Sequence, residues 1–209
     1  MKNYCEIMSA LLKEKIVAIL RVDDAEKALK GAESMKKGGI HNIEITMNTP
    51  GVLDIIKQLS KDPDLMIGAG TVLDETSCRM AILHGAQYIV TPTVNEGVIR
   101  CANRYQKPVI CGCYTPTEMV HALELGVNMI KVFPASEYST ECIKAFKGPL
   151  NQILAGPTGG VSKENIKKWK AAGADFYGIA GELSRLTKEK RYEELEQAAR
   201  ELVKEVEIA

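Results

Sequence analysis

Eight short apolar runs, each followed by a stretch in which apolar positions return every three or four residues, set the rhythm of the chain. The runs are Lys15 to Arg21 (KIVAILR), Asn42 to Met47, Met66 to Val72, Tyr88 to Thr93, Val109 to Tyr114, Met129 to Pro134, Ile153 to Thr158 and Phe176 to Gly181. Their length and β-branched content predict strands, and the lack of a wet face predicts strands covered on both sides. The stretches between them read as helices. One is capped by Asp23 or Asp24 and runs through Lys37; the next span Val52 to Ser60, Glu75 to Leu83 behind the cap Asp74, and about Asn95 to Tyr105. Thr115-Pro116-Thr117-Glu118 joins a capping box to a proline at the first helical position and starts a helix to Leu125. Further helices fall near Thr140 to Phe146 and after Ser162.

A glycine precedes every second strand, in GGIHNIEI, HGAQYIV, LGVNMIKV and AGADFYGI, so that Gly39, Gly85, Gly126 and Gly173 read as left-handed helix stops. Strand and helix in strict alternation predict a parallel sheet clothed by helices, and eight units predict closure. The expected fold is α/β, a single (β/α)8 TIM barrel over residues 1–209, preferred to an open doubly wound sheet. A short N-terminal helix precedes the first strand, and Leu195, Ala199, Leu202 and Val206 mark a closing C-terminal helix between Lys190 and Val206.

Charge and composition narrow the partner. The 209 residues carry 27 basic and 27 acidic side chains and only 5% aromatics, which argues against a basic nucleic-acid groove or a base-stacking platform. The opening KNYCEIMSALLKEK lacks the apolar core of a signal peptide and no later run reaches membrane-spanning length, so a cytoplasmic protein without membrane contact is expected. Six irregularly spaced cysteines are expected to be free thiols. Cys111 and Cys113, with His121 nearby in sequence, could be imagined as metal ligands, but two thiols on one strand face read better as small buried residues, and no metal is expected.

Within MIKVFPA (129 to 135), Lys131 shares a strand face with Met129 and Phe133 while Ile130 and Val132 point the other way. An amine on an apolar strand either snorkels to water or loses its charge, and a neutral lysine is a nucleophile. The other polar residues expected to point inward near strand ends are Arg21, Glu44 with Thr46 and Asn48, Thr71 and Thr158, with strand four ending in TPT around Pro92. Gly159-Gly160, and Gly181 with Glu182 after the eighth strand, add backbone amides at the same end, where loops after strands seven and eight commonly hold an anion. Glu44 and Lys131 could be a buried ion pair that only fills the barrel. Arg21 could be a rim arginine and Thr71 a strand-end or capping residue. A site for a small keto acid gives all of them a task.

The ordered set IVAILR (16 to 21), EITMNTP (44 to 50), GAGTV (68 to 72), TPT (91 to 93), IKVFPA (130 to 135) and PTGGVS (157 to 162) resembles the 2-keto-3-deoxy-6-phosphogluconate (KDPG) and 2-keto-4-hydroxyglutarate (KHG) aldolases, which are class I aldolases. The resemblance covers nearly the whole chain. It implies Lys131 as the Schiff-base lysine and Glu44 as general acid/base, with Arg21 and Thr71 holding the pyruvate carboxylate. Gly159, Gly160 and Gly181 would line a phosphate end; Pro92, Phe133, Thr158 and Glu182 complete the expected substrate-binding set, with Phe133 an apolar wall beside Lys131. It also implies a cytoplasmic homotrimer with no cofactor beyond the lysine imine. Apolar walls and Arg21 should lower the Lys131 pKa toward neutrality.

Two positions depart from the resemblance. Asn48 stands where many members have arginine, and Glu182 where many have serine, which sets a carboxylate near the phosphate end. An unphosphorylated keto-deoxy sugar acid or KHG is therefore expected to compete as substrate. Two rival readings are a phosphate-binding barrel of the epimerase or thiamin-phosphate-synthase kind and a non-catalytic keto-acid-binding barrel.

Overall fold

The computed structural model describes residues 2–127 and 129–208; Asn128 of the LGVNMIKV repeat, Met1 and Ala209 lie outside them. All eight expected strands are present: β1 (Ile16–Leu20), β2 (Asn42–Thr46), β3 (Met66–Gly70), β4 (Tyr88–Thr91), β5 (Val109–Cys113), β6 (Met129–Val132), β7 (Leu154–Pro157) and β8 (Tyr177–Ile179). Each is shorter than its predicted run, whose end residues turn out of the sheet into the loops. The strands run parallel in the order β7-β6-β5-β4-β3-β2-β1-β8, and a bridge from Thr158 to Gly178 closes the ring between β7 and β8.

The helices are α1 (Tyr4–Glu14), α2 (Ala25–Lys37), α3 (Val52–Leu59), α4 (Glu75–Leu83), α5 (Glu96–Arg104), α6 (Pro116–Glu124), α7 (Cys142–Lys147), α8 (Ile166–Ala171), α9 (Gly181–Lys188) and α10 (Tyr192–Ile208). The Asp24 side chain caps α2, and Asp23 instead pairs with Lys27 at 3.0 Å. Thr115 and Glu118 form the expected capping box, with Pro116 in the first turn of α6. Gly39, Gly85, Gly126 and Gly173 all have φ between 91° and 111°, the left-handed region that ends a helix without a Cβ penalty. Two boundaries differ from expectation. The helix expected after Ser162 starts late: Asn165 accepts from the Ser162 amide and α8 begins at Ile166. Gly181 and Glu182 do not end a strand but start α9, which the charged pattern ELSRLTK had hidden.

Two apolar layers result. The larger lies between sheet and helices and takes Ile130, Val132, Cys111 and Cys113. The smaller fills the inside of the ring at its amino end with Val17, Met66, Tyr88, Val90, Met129 and Phe176, and α1 plugs it with Ile7 and Leu11, both fully buried. Burying each of these two side chains stabilises the fold by roughly 1.5–3 kcal/mol. Glu14 fastens the plug, accepting bonds from the Asn42 amide at 3.1 Å and the His41 amide at 3.2 Å, with His41 Nδ1 at 2.6 Å.

Candidate active site

The strand alternation that sends Met129 into the inner cluster also sends Lys131 inward, nearer the carboxyl end of the ring. It is 6% exposed, so the lysine does not snorkel out to solvent. In the sheet register Gly112 on β5 and Gly156 on β7 stand opposite Lys131 on its two sides. The Nζ atom lies 4.7 Å from the centroid of the Phe133 ring. Burial is the main cause that lowers the Lys131 pKa; the nearby Arg21 charge lowers it further, while Glu44 and Cys111 oppose the shift.

Glu44 projects inward from β2 and is 1% exposed. Its carboxylate leans across Gly70, where a Cβ would stand 1.7 Å from Oε1, so only glycine leaves the carboxylate its place. Burial raises the Glu44 pKa, and the charges of Lys131 and Arg21 lower it. The two cations act on Glu44 through space, without a hydrogen bond. Glu44 and Lys131 therefore do not form the direct ion pair that a filled barrel would show, and burial disfavours the charged form of each.

Other residues fall around this pair. Arg21 is exposed just beyond β1, with its amide donating to Ser184 Oγ at 3.2 Å, while that hydroxyl donates to the Ile19 carbonyl at 2.8 Å. Ser184 thus pins the end of β1 to α9; no local pattern marks it, because its partners are more than 160 residues away in sequence. Thr71 has φ 55°, an uncommon state for a β-branched residue. Neighbouring bonds enforce it: Met47 donates to the Gly70 carbonyl at 2.8 Å and Val72 to that of Val90 at 3.2 Å. Such a residue stores about 1–3 kcal/mol of strain and is held by its surroundings. The Pro92 backbone packs on Gly112, where a Cβ would meet its carbonyl at 2.3 Å. Thr158 is buried, its hydroxyl resting against Gly178. Gly159 and Gly160 lie against the loop of Pro134 to Ser136, and nothing stands within 4 Å of a Cβ built on Gly181.

Three expectations need correction. Thr46 points inward, but its hydroxyl donates to the Leu20 carbonyl at 3.5 Å and contacts Thr49 at 3.3 Å, so it serves strand pairing. Asn48 is exposed beyond the end of β2, which stops at Thr46, and does not continue the inward series. Glu182 lies in the first turn of α9, 57% exposed, with Arg185 at 3.9 Å and the charge of Lys163 near it, so cations outside the ring offset its charge. Tyr88 was missed as a polar group of the interior, because the strand pattern reads it as apolar. Among the described residues no group of three or more His, Cys, Asp and Glu could hold a metal ion, and no helix is long and apolar enough to cross a membrane.

Fold and site together define a (β/α)8-barrel enzyme with a buried amine and a buried carboxyl at the carboxyl end of its strands, where barrel chemistry gathers. Residues 7–198 match the family described as KDPG and KHG aldolase. A 2-dehydro-3-deoxy-6-phosphogalactonate aldolase of Escherichia coli is 35% identical over 83% of this chain and 86% of its own. A 2-dehydro-3-deoxy-phosphogluconate aldolase of Haemophilus influenzae is 33% identical over 79% of each. A solved structure described as native KDPGal superposes with a TM-score of 0.87 at 34% identity, covering 92% of this chain and 94% of that one. The chain belongs to the KDPG and KHG aldolase family and is a carbon–carbon lyase, a class I pyruvate-dependent aldolase.

Proposed function

We propose that the protein cleaves a 2-keto-4-hydroxy acid to pyruvate and an aldehyde through a Schiff base on Lys131, with Glu44 as the proton shuttle. The observation that carries this reading is a buried lysine with a lowered pKa in a barrel that also holds a buried glutamate not hydrogen-bonded to it. The neutral Lys131 amine attacks the C2 carbonyl, and loss of water from the adduct leaves a protonated imine. Glu44, as carboxylate, takes the proton of the C4 hydroxyl; the C3–C4 bond breaks and its electron pair flows into the imine, giving an enamine and the free aldehyde. The proton returns from Glu44 to C3, and water then releases pyruvate and restores the amine. Arg21 and Thr71 hold the substrate carboxylate, which suits a guanidinium fork, while Pro92 and Phe133 wall the reacting carbons. No metal or organic cofactor takes part in this scheme.

Thr158, Gly159, Gly160 and Gly181 form the distal end. The exposed, Arg185-paired position of Glu182 favours a phosphorylated substrate there, since its charge is offset away from the ring. The curated relatives named above carry phosphorylated sugar acids in their names, and KHG is the second reading, since an E. coli relative is named KHG/KDPG aldolase. We place the protein in the cytoplasm as a homotrimer. Exposed Leu73 and Leu83, 55% and 60% accessible, offer apolar surface, and a 34%-identical structure is described as a cage built by fusing symmetric oligomeric domains.

Incubation with pyruvate and borohydride followed by peptide mass mapping tests the chemistry. The expected result is a stable adduct on Lys131 that is absent from Lys131→Met; an unmodified Lys131 would overturn the Schiff-base reading and leave a non-catalytic keto-acid-binding barrel.

A further inference from the structure

Tyr88 is fully buried inside the ring, and its hydroxyl has no hydrogen-bond partner among the described residues. A buried phenol normally finds one, because an unmade bond costs more than a made one gains. The sheet register shows which way the group faces. Glu44 on β2 stands opposite Gly68 on β3, and Gly68 opposite Tyr88 on β4, so the three form one row on the inner face. Gly68 has no side chain and the Tyr88 ring crosses it: a Cβ there would lie 2.2 Å from Cε2 and 2.3 Å from Cζ. Cζ carries the hydroxyl, so the ring leads with its polar end across β3 toward β2.

Glu44 leans over the same strand from the other side, above Gly70, two residues further on. No direct hydrogen bond joins the Tyr88 hydroxyl to Glu44, so a link between these two ends, which lean over neighbouring positions of β3, runs through water. The charged groups facing this pair are few. Glu44 and Glu14 act on Tyr88, and Lys131 and Arg21 act on Glu44.

We propose that Tyr88 is a positioning residue for the aldol reaction: its hydroxyl donates through buried water to the Glu44 carboxylate, steadying it over Gly70 and favouring its ionised form. The catalytic consequence rests on the reading of Glu44 as proton shuttle; the coupling itself does not. If Tyr88 only fills the barrel, its hydroxyl is stranded, and removing it is neutral or stabilising.

Tyr88→Phe keeps the ring and deletes only the hydroxyl. Carboxyl-labelled glutamate followed by carbon NMR, with Glu44 assigned by its loss in Glu44→Gln, reads the titration without relying on turnover. The Glu44 midpoint is expected to move upward by about 1 pH unit, the net worth of one hydrogen bond. The acid limb of the kcat profile moves with it, and KM changes by less than about twofold. An unchanged midpoint together with an unchanged or higher melting temperature overturns the proposal. A shifted midpoint with an unmoved kcat profile would uphold the coupling while removing Glu44 from proton transfer.

Discussion

The two ends of the barrel interior are built from the same eight strands and do opposite work. At the amino end, Ile7 and Leu11 of α1 close on Val17, Met66 and Phe176, all buried. At the carboxyl end the same strands carry Glu44 and Lys131, glycines beside both, and the strained Thr71. One end supplies stability and the other consumes it. The lesson is that a parallel barrel can hold an unfavourable arrangement of charge because an apolar plug a few residues away along each strand holds the strands in register.

The largest effect expected from this contrast is that of Lys131→Met, which removes the nucleophile. It should lower kcat by at least about 10⁴-fold while leaving the fold intact. Stability should rise, with a definite pH dependence. The folded Lys131 pKa lies below the ordinary 10.5, so between the two values the unfolded chain binds the proton and the folded chain does not. Wild-type stability therefore increases with pH across that window, and the penalty is fully present below it. Urea unfolding should show a gain for Lys131→Met near neutrality that shrinks as pH approaches 10.5. A constant gain would mean that the lysine is not desolvated. Glu44 works in the opposite sense, since its folded pKa is raised above 4.5 and stability falls as pH rises through that window.

Leu11→Ala probes the other end. It should cost about 2–5 kcal/mol in denaturant unfolding, as for other large-to-small changes in a core. Activity per folded molecule should stay near wild type, because α1 touches none of the reacting groups. A fall in kcat without a fall in stability would break the division of labour between the two ends.

Gly70→Ala tests the mouth without replacing a charged residue. The new Cβ would collide with Glu44 Oε1, so the carboxylate must move by an ångström or more. A displacement of that size costs on the order of 10²-fold in kcat. The pyruvate–borohydride adduct on Lys131 should still form, because imine formation needs the amine and not the exact place of Glu44. Loss of the adduct would show that Glu44 also activates the lysine.

The strands and the lysine were legible in the sequence because both depend on local pattern: β-branched runs, glycine stops, and the period of two that put Lys131 with Met129 and Phe133. What escaped depends on pairs distant along the chain. Ser184 is visible only once α9 has folded onto β1. Gly112 and Gly156 mean little until the register sets them on each side of Lys131. Tyr88 reads as a core aromatic until the empty face of Gly68 shows where its hydroxyl points. Asn48 and Glu182 were misplaced for the same reason: alternation was carried past the last strand residue, where the backbone had already turned or begun a helix.

Glu182→Ser is the substitution with the smallest expected effect, and it bears on the distal end of the mouth. The sequence alone sets this carboxylate against any phosphate held by Gly159, Gly160 and Gly181. In the folded chain it is exposed, with Arg185 at 3.9 Å and the charge of Lys163 near it. An exposed charge screened in this way contributes little at Debye lengths of about 8–10 Å. The kcat/KM for a phosphorylated keto-deoxy sugar acid should therefore rise by less than about threefold in Glu182→Ser, with the value for KHG unchanged. A tenfold or larger rise confined to the phosphorylated substrate would mean that Glu182 swings toward the ring when substrate binds, and that this chain selects against phosphate with a helix-borne carboxylate; a loss of activity toward both substrates would instead place the Glu182–Arg185 pair among the supports of α9 and, through Ser184, of the β1 end that carries Arg21.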